Sequence, residues 1–245
     1  MIRVNVDADR FLAGLTAAQR GTGFATTVAM TRTGKAVAAA LGRETRTAFD
    51  RPTRTTINAF YSQPATKGLA AATVGVKDFL PKGTPASKYL QAQVFGGVRA
   101  QKRSERSLSR AGLMGNRGFW VPGPGVRLNA YGNVPGSVVT RILSGVKASS
   151  DATQNITASS RRTNLSARRA ERFFVPRPGS GLAPGVWMER GVGRRLVPAL
   201  LFVPSVSYSK RFDFFELGRR FTLAQFPLEL SRAIGEGFNQ PRQAG

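Results

Sequence analysis

The stretch "RFFVPRPGSGLAPGVWMERGVGRRLVPALLFVPSV", Arg172 to Val206, carries three segments rich in aromatic and aliphatic residues, cut apart by Gly and Pro. They predict strands over Arg172–Arg177, Val186–Arg190 and Leu196–Val206, joined as an antiparallel meander. The apolar run Leu196–Val203 is interrupted by Pro198. It is also shorter than the roughly 20 residues a bilayer span needs. A strand is its expected state, and no membrane contact is expected of the chain.

Helical patterns surround this sheet. Phe24–Phe49 is rich in Ala and keeps Phe24, Val28, Ala38, Leu41 and Phe49 near one face, which predicts a long helix. Its middle, with Thr31, Gly34 and Lys35, is weakly apolar. Asp50-Arg51-Pro52 ends it, because the residue before a proline avoids helical geometry. Ile2–Val6 alternates as a short strand, and Asp7 or Asp9 can cap a helix running to Arg20. Ala70–Lys77 reads as a strand and Ser87–Phe95 as a helix that can resume after Gly96-Gly97 and reach Arg110. Phe119–Val121 is a short strand or an anchor within a Gly- and Pro-rich stretch, and Asn133–Gly145 a helix. Two C-terminal helices are expected, Phe212–Arg220 and Pro227–Phe238. Pro227 would stand in the first turn of the second, where its missing N–H costs nothing. The fold class is therefore α+β: an antiparallel sheet flanked by a long N-terminal helix and C-terminal helices. A single domain over residues 1–245 is expected, with the polar stretch 149–170 as an inserted basic arm.

The charge is lopsided. Thirty-seven Lys and Arg stand against 13 Asp and Glu, a formal charge of +24, in a chain that is 41% hydrophobic with 16 Phe. Such a chain can fold a core, but the excess charge repels itself unless a partner neutralises it. The excess is concentrated. From Arg106 to Ala170 the only carboxylate is Asp151. Within "GGVRAQKRSERSLSRAG" (Gly96–Gly112), Arg99, Arg103, Arg106 and Arg110 step by four, three and four residues, with Lys102 beside them. On one continuous helix they would form a cationic stripe. That stripe, with Arg161, Arg162, Arg168 and Arg169 of the arm, is the candidate surface for an acidic protein or DNA.

Catalytic chemistry finds few residues. With no Cys and no His, thiolate, disulfide and imidazole chemistry are excluded. Gly34-Lys35 is followed by Ala36, so it is not a phosphate loop. Gly123-Pro124-Gly125 and Gly191-Val192-Gly193 lack a third glycine at dinucleotide spacing and read as turns. Asn155-Ile-Thr157 and Asn164-Leu-Ser166 match the glycosylation sequon, which carries no meaning without secretion. The close carboxylate pairs Asp7/Asp9 and Asp213/Glu216 fall where helix starts favour acids. A metal-dependent nuclease built on Asp213 and Glu216 is the weakest reading. The expectation is a non-enzyme without cofactor or metal.

Several stretches resemble virion proteins of tailed bacteriophages. "ATTVAMTRTGKAVAAALGRETRTAFDRPTRTTINAFY" (Ala25–Tyr61) resembles the opening of the minor tail protein Z, or tail completion, type. In that group a long helix with an NRTA-like centre precedes a proline–threonine element; here these are Met30-Thr-Arg-Thr33 and Arg51-Pro-Thr53, with Met30 where the group has Asn. Gly83–Met114, Arg127–Ser144 and Leu201–Phe215 are similar to phage virion proteins as well. The resemblance implies a structural subunit of the tail end or head–tail neck, assembled in the host cytoplasm and resident in the virion. It also implies a homo-oligomeric ring. Portal, connector, tail-tube or terminator proteins would be its partners, with genomic DNA within reach. A DNA-packaging or RNA-associated nucleic-acid-binding protein is the alternative.

Overall fold

The computed structural model describes residues 3–6, 23–66, 71–81, 83–157, 159, 171–191 and 195–239. Arg161, Arg162, Arg168 and Arg169 of the expected arm lie outside them, as do Asp7 and Asp9. The architecture is α+β, with six helices among the described residues and antiparallel sheets. The chain divides into two compact units, one made of residues 1–97 and 208–245, the other of residues 98–207. The first holds β1 (Arg3–Val6), α1 (Gly23–Ala48), α2 (Arg54–Ile57), β2 (Phe60–Gln63), β3 (Ala72–Val76) and α3 (Ala86–Phe95). The crossing strand β4 (Gly97–Val98) follows. The second unit holds α4 (Arg103–Arg110), β5 (Phe119–Pro122), α5 (Gly136–Gly145), β6 (Glu171–Phe174), β7 (Gly185–Arg190) and β8 (Arg195–Val203). The chain returns through β9 (Ser207–Tyr208), which pairs with β4, and ends the described fold with α6 (Phe214–Asn239). Both crossings are two-residue strands, so neither has the length or composition of a linker, and the sequence shows no boundary there.

In the first unit the strands run in the order β1-β3-β2, all antiparallel. Helix α1 turns Ala25, Ala29, Met30, Thr33, Gly34, Val37, Ala40, Leu41, Gly42 and Thr45 inward, the 3.6-residue period of a buried face. Its weakly apolar middle has a steric purpose. A Cβ on Gly34 would stand 2.6 Å from the Ser62 Oγ and 3.2 Å from the Ala72 Cβ, so the strands approach the helix where it has no side chain. Val37 and Leu41 meet Phe60, Val74, Val76, Leu90, Phe212 and Phe214 in one cluster. The Phe60 ring lies 5.7 Å from Phe212 and stacks at 6.0 Å on Phe214.

The two expected C-terminal helices are one. Helix α6 runs through Pro227, although proline there removes the N–H that would bond to the Leu223 carbonyl. Tertiary packing outweighs that cost: Phe226, Leu230 and Ala233 are buried against Ala25, Ala29 and Met30 of α1. Arg32 bonds to Glu236 at 2.8 Å and Glu44 lies 4.0 Å from Arg220, so α1 and α6 run antiparallel.

In the second unit the meander β6-β7-β8 forms as the sequence predicts, with β5 added beyond β8. One sheet face is a core: Phe173, Met188, Val186, Leu200, Phe202 and Trp120 are buried with Leu108 of α4 and Ile142 of α5. The turn after β5 packs tightly on β8. Gly123 and Gly125 donate backbone hydrogen bonds to Ala199 and Pro198, each at 2.9 Å. A Cβ on Gly123 would meet the Pro198 carbonyl oxygen at 2.2 Å, so the Gly-Pro-Gly pattern is a steric requirement of the sheet. Gly123→Ala should destabilise the protein by about 1–3 kcal/mol through this overpacking. The drop is to be read as a lower urea midpoint with Trp fluorescence as the probe.

Candidate partner-binding surface

The predicted stripe does not begin where its spacing suggests. Helix α3 ends at Phe95, and Gly96 and Gly97 adopt φ of 77° and 93°. In that left-handed region glycine is at ease and a helix cannot continue. The chain then extends to Lys102, and α4 starts at Arg103. Arg99 is therefore not on the helix. Its side chain is 9% exposed, and it grips Glu105, which is fully buried.

The Arg99–Glu105 pair organises everything around it. Arg99 Nη1 donates to Glu105 Oε2 at 2.8 Å and Nη2 to Oε1 at 2.5 Å, a bidentate fork. Glu105 also accepts the Lys102 backbone N–H at 2.6 Å and the Trp120 backbone N–H at 3.0 Å. The first bond satisfies an orphan donor at the start of α4. The second reaches across to β5, and Arg99 Nη2 has a longer contact, 3.5 Å, with the Trp120 carbonyl. The ion pair thus occupies the outward backbone groups of an edge strand, as a neighbouring strand would. Around it, the Trp120 indole N–H donates to Ser104 Oγ at 3.1 Å and Arg99 lies 5.1 Å above the Phe119 ring. Lys102 is an exposed residue, but its ammonium lies 4.1 Å from the Trp120 ring, and local desolvation there together with the Arg99 charge holds its pKa below the ordinary lysine value, against the opposing pull of Glu105.

What remains outward is narrower than the predicted stripe. Arg103, Arg106 and Arg110 are exposed, and Ser104, Ser107 and Leu108 are buried on the opposite side. Spacings of three and four residues keep the three guanidiniums together, and none forms an ion pair among the described residues. The helix beneath them is fixed by Leu108 in the core and by Ser107, whose hydroxyl lies 3.0 Å from that of Ser150. That contact ties α4 to the segment that follows α5. Residues 149–156, expected as the start of the inserted basic arm, are held by local bonds: Ser149 N–H bonds to the Asn155 side chain, Ser144 Oγ to the Gln154 carbonyl, and Asp151 caps a short 3-10 turn at Ala152–Gln154.

Asp213 and Glu216 do stand at the start of α6, each held by a cation: Lys210 at 2.8 Å from Asp213 and Arg219 at 2.7 Å from Glu216. Both carboxyls are drawn below their usual range, chiefly by hydrogen bonds from those cations. Among the described residues no group of three or more acidic side chains is placed to hold a metal. No described helix is long and apolar enough to cross a membrane.

A second surface lies on the sheet of the same unit. Phe173 and Met188 pair across β6 and β7 and face the core, so their neighbours Arg172, Phe174 and Glu189 face the other side. There a groove of about 590 Å³ is lined by Arg172, Phe174, Pro176, Arg177, Leu182 and Leu196, among others. In the sequence Phe173 and Phe174 are adjacent rings with nothing to tell them apart. Only the strand register, which sends one ring inward and the next outward, separates them.

Comparison with protein-family models, with curated proteins and with solved structures finds no match to this chain.

Glu105→Gln should leave the Arg99 charge buried without its counter-charge and cost about 3–5 kcal/mol, read as a fall in the urea midpoint. The double replacement Arg99→Met/Glu105→Leu should recover part of that loss, because neither variant side chain is charged.

Proposed function

We propose that the chain is a non-enzymatic structural subunit of a tailed-bacteriophage particle, joining tail components or the tail and head by docking on acidic surfaces of neighbouring virion proteins. The observation that carries this reading is the α4 face. Arg103, Arg106 and Arg110 project from a helix whose opposite side is locked by a buried ion pair and a core leucine. A rigid row of guanidiniums without internal partners is suited to bidentate pairing with carboxylates of another protein. Among the described residues no carboxylate of this chain pairs with Arg103, Arg106 or Arg110, and most are engaged with other cations. Glu44, Asp50, Glu105, Glu171, Glu189, Asp213, Glu216 and Glu236 each lie in an ion pair elsewhere. The virion setting itself comes from the sequence resemblance, and the ring and the portal, connector or terminator partners go with it.

The test is a charge swap. Arg103→Glu/Arg106→Glu should leave the isolated protein folded, with stability changed by no more than about 0.5 kcal/mol, as for exposed positions generally. Added to particles that lack the protein, wild type should restore joined, infective virions and the variant should not. Normal joining by the variant would remove the docking role from α4. Tight duplex binding by the isolated wild-type protein, with affinity falling steeply in salt, would favour the nucleic-acid reading instead.

A further inference from the structure

The two edges of the four-stranded sheet are treated differently. At β5 the Arg99–Glu105 pair engages the outward N–H and carbonyl of Trp120. At β6, the other end of the order β5-β8-β7-β6, no described residue hydrogen-bonds to the strand's backbone on the side away from β7. An edge left so is a template for another strand. The side chains beside it are not neutral bystanders. Arg172 and Phe174, two residues apart, face the same side and open into the groove. Leu196 in that groove is 45% exposed. Arg177 at its end is exposed and forms no ion pair among the described residues, while Arg172 lies 3.6 Å from Glu189. The groove thus offers an apolar floor with more positive than negative charge.

We propose that β6 is a docking strand for an extended, acidic segment of a neighbouring protein, which adds to the sheet edge and lays its side chains in this groove. The proposal rests on the assembly reading above and adds the chemistry of one partner. An added strand presents alternate residues to the groove face. Cross-strand pairing then calls for a carboxylate opposite Arg172 and an aliphatic side chain opposite Phe174, an acid–x–aliphatic pattern. A carboxylate beyond that pair would reach Arg177. A second copy of the same chain fits less well, because antiparallel pairing of two β6 strands sets Arg172 against Arg172 or against Phe174.

The probe is a short fluorescein-labelled peptide repeating Glu-Thr-Leu-Thr, titrated with the full-length protein and followed by fluorescence anisotropy. Saturable binding is expected. It should weaken at least about tenfold, some 1.4 kcal/mol, when alternate peptide amides are N-methylated, because the ladder donors are then lost. Arg172→Glu should weaken it similarly. Arg177→Glu, which removes no ion pair, keeps the measurement readable if Arg172→Glu impairs folding. Equal binding of the N-methylated peptide would overturn strand addition. So would binding indifferent to both arginine variants, or binding of single-stranded oligonucleotide in preference to the peptide. Concentration-dependent dimerisation abolished by the arginine variants would give the edge to a second copy and overturn the proposal as well. Absence of peptide binding in a protein that is present in purified particles sinks only the β6 proposal. Peptide binding by a protein absent from particles sinks only the assembly reading.

Discussion

One buried ion pair joins the start of α4 to the edge of the four-stranded sheet within residues 98–207. Arg99 and Glu105 are six residues apart in sequence, and the loop between them closes onto the start of α4. Because Glu105 uses both oxygens twice, the same carboxylate fixes the guanidinium, the helix start and the edge of β5. Burying two charges is costly unless every polar atom finds a partner. Here the partners are backbone groups that would otherwise be orphaned, so the desolvation cost is offset where the backbone needs the bonds most. This arrangement also explains why an intensely cationic segment folds at all. Arg99 is withdrawn into the interior and matched, Lys102 lies over the Trp120 ring, and Arg103, Arg106 and Arg110 are turned to one side of a short helix.

Much of the fold was legible. The meander followed from Gly and Pro punctuation between apolar segments. The long first helix followed from its Ala-rich pattern, although of the residues expected along one face only Leu41 is buried and Phe24 is exposed, and Ala72–Val76 and Phe119–Pro122 followed from short β-rich runs. The failures have physical causes. Pro227 reads as a start signal because local propensity puts proline in a first turn, yet the buried side of α6 extends across it and tertiary packing decides. The Gly96-Gly97 break reads as an interruption, but nothing local says that the backbone there takes positive φ and leaves Arg99 off the helix. Strand β2 was not anticipated, since Phe60–Gln63 is short and only its pairing with β3 defines it.

The candidate surfaces were legible to different degrees. Counting charges is enough to find Arg103, Arg106 and Arg110, because exposed cations at helical spacing end on one side whatever the core does. Arg99 was misassigned to their row because an Arg looks the same in sequence whether it meets solvent or a buried carboxylate. A capping-box pattern could have flagged Glu105, since Glu stands three residues after the residue that precedes the helix. Lys102 in place of Ser or Thr hides that pattern. The β6 groove had no signal at all, as it depends on register across three strands.

The interrupted first unit has a bearing on how the chain is made. Helix α1 leaves the ribosome early, but the face it buries against α6 has no counterpart until everything from Arg54 to Tyr208 has been synthesised. Residues 98–207 form a continuous segment and can close their own core while translation is still in progress. The Ala- and Met-lined side of α1 must wait exposed for that whole interval, and non-local pairing of this kind is slow and prone to wrong association. Its small, weakly sticky residues, Ala25 and Ala29, suit a surface that spends its youth uncovered.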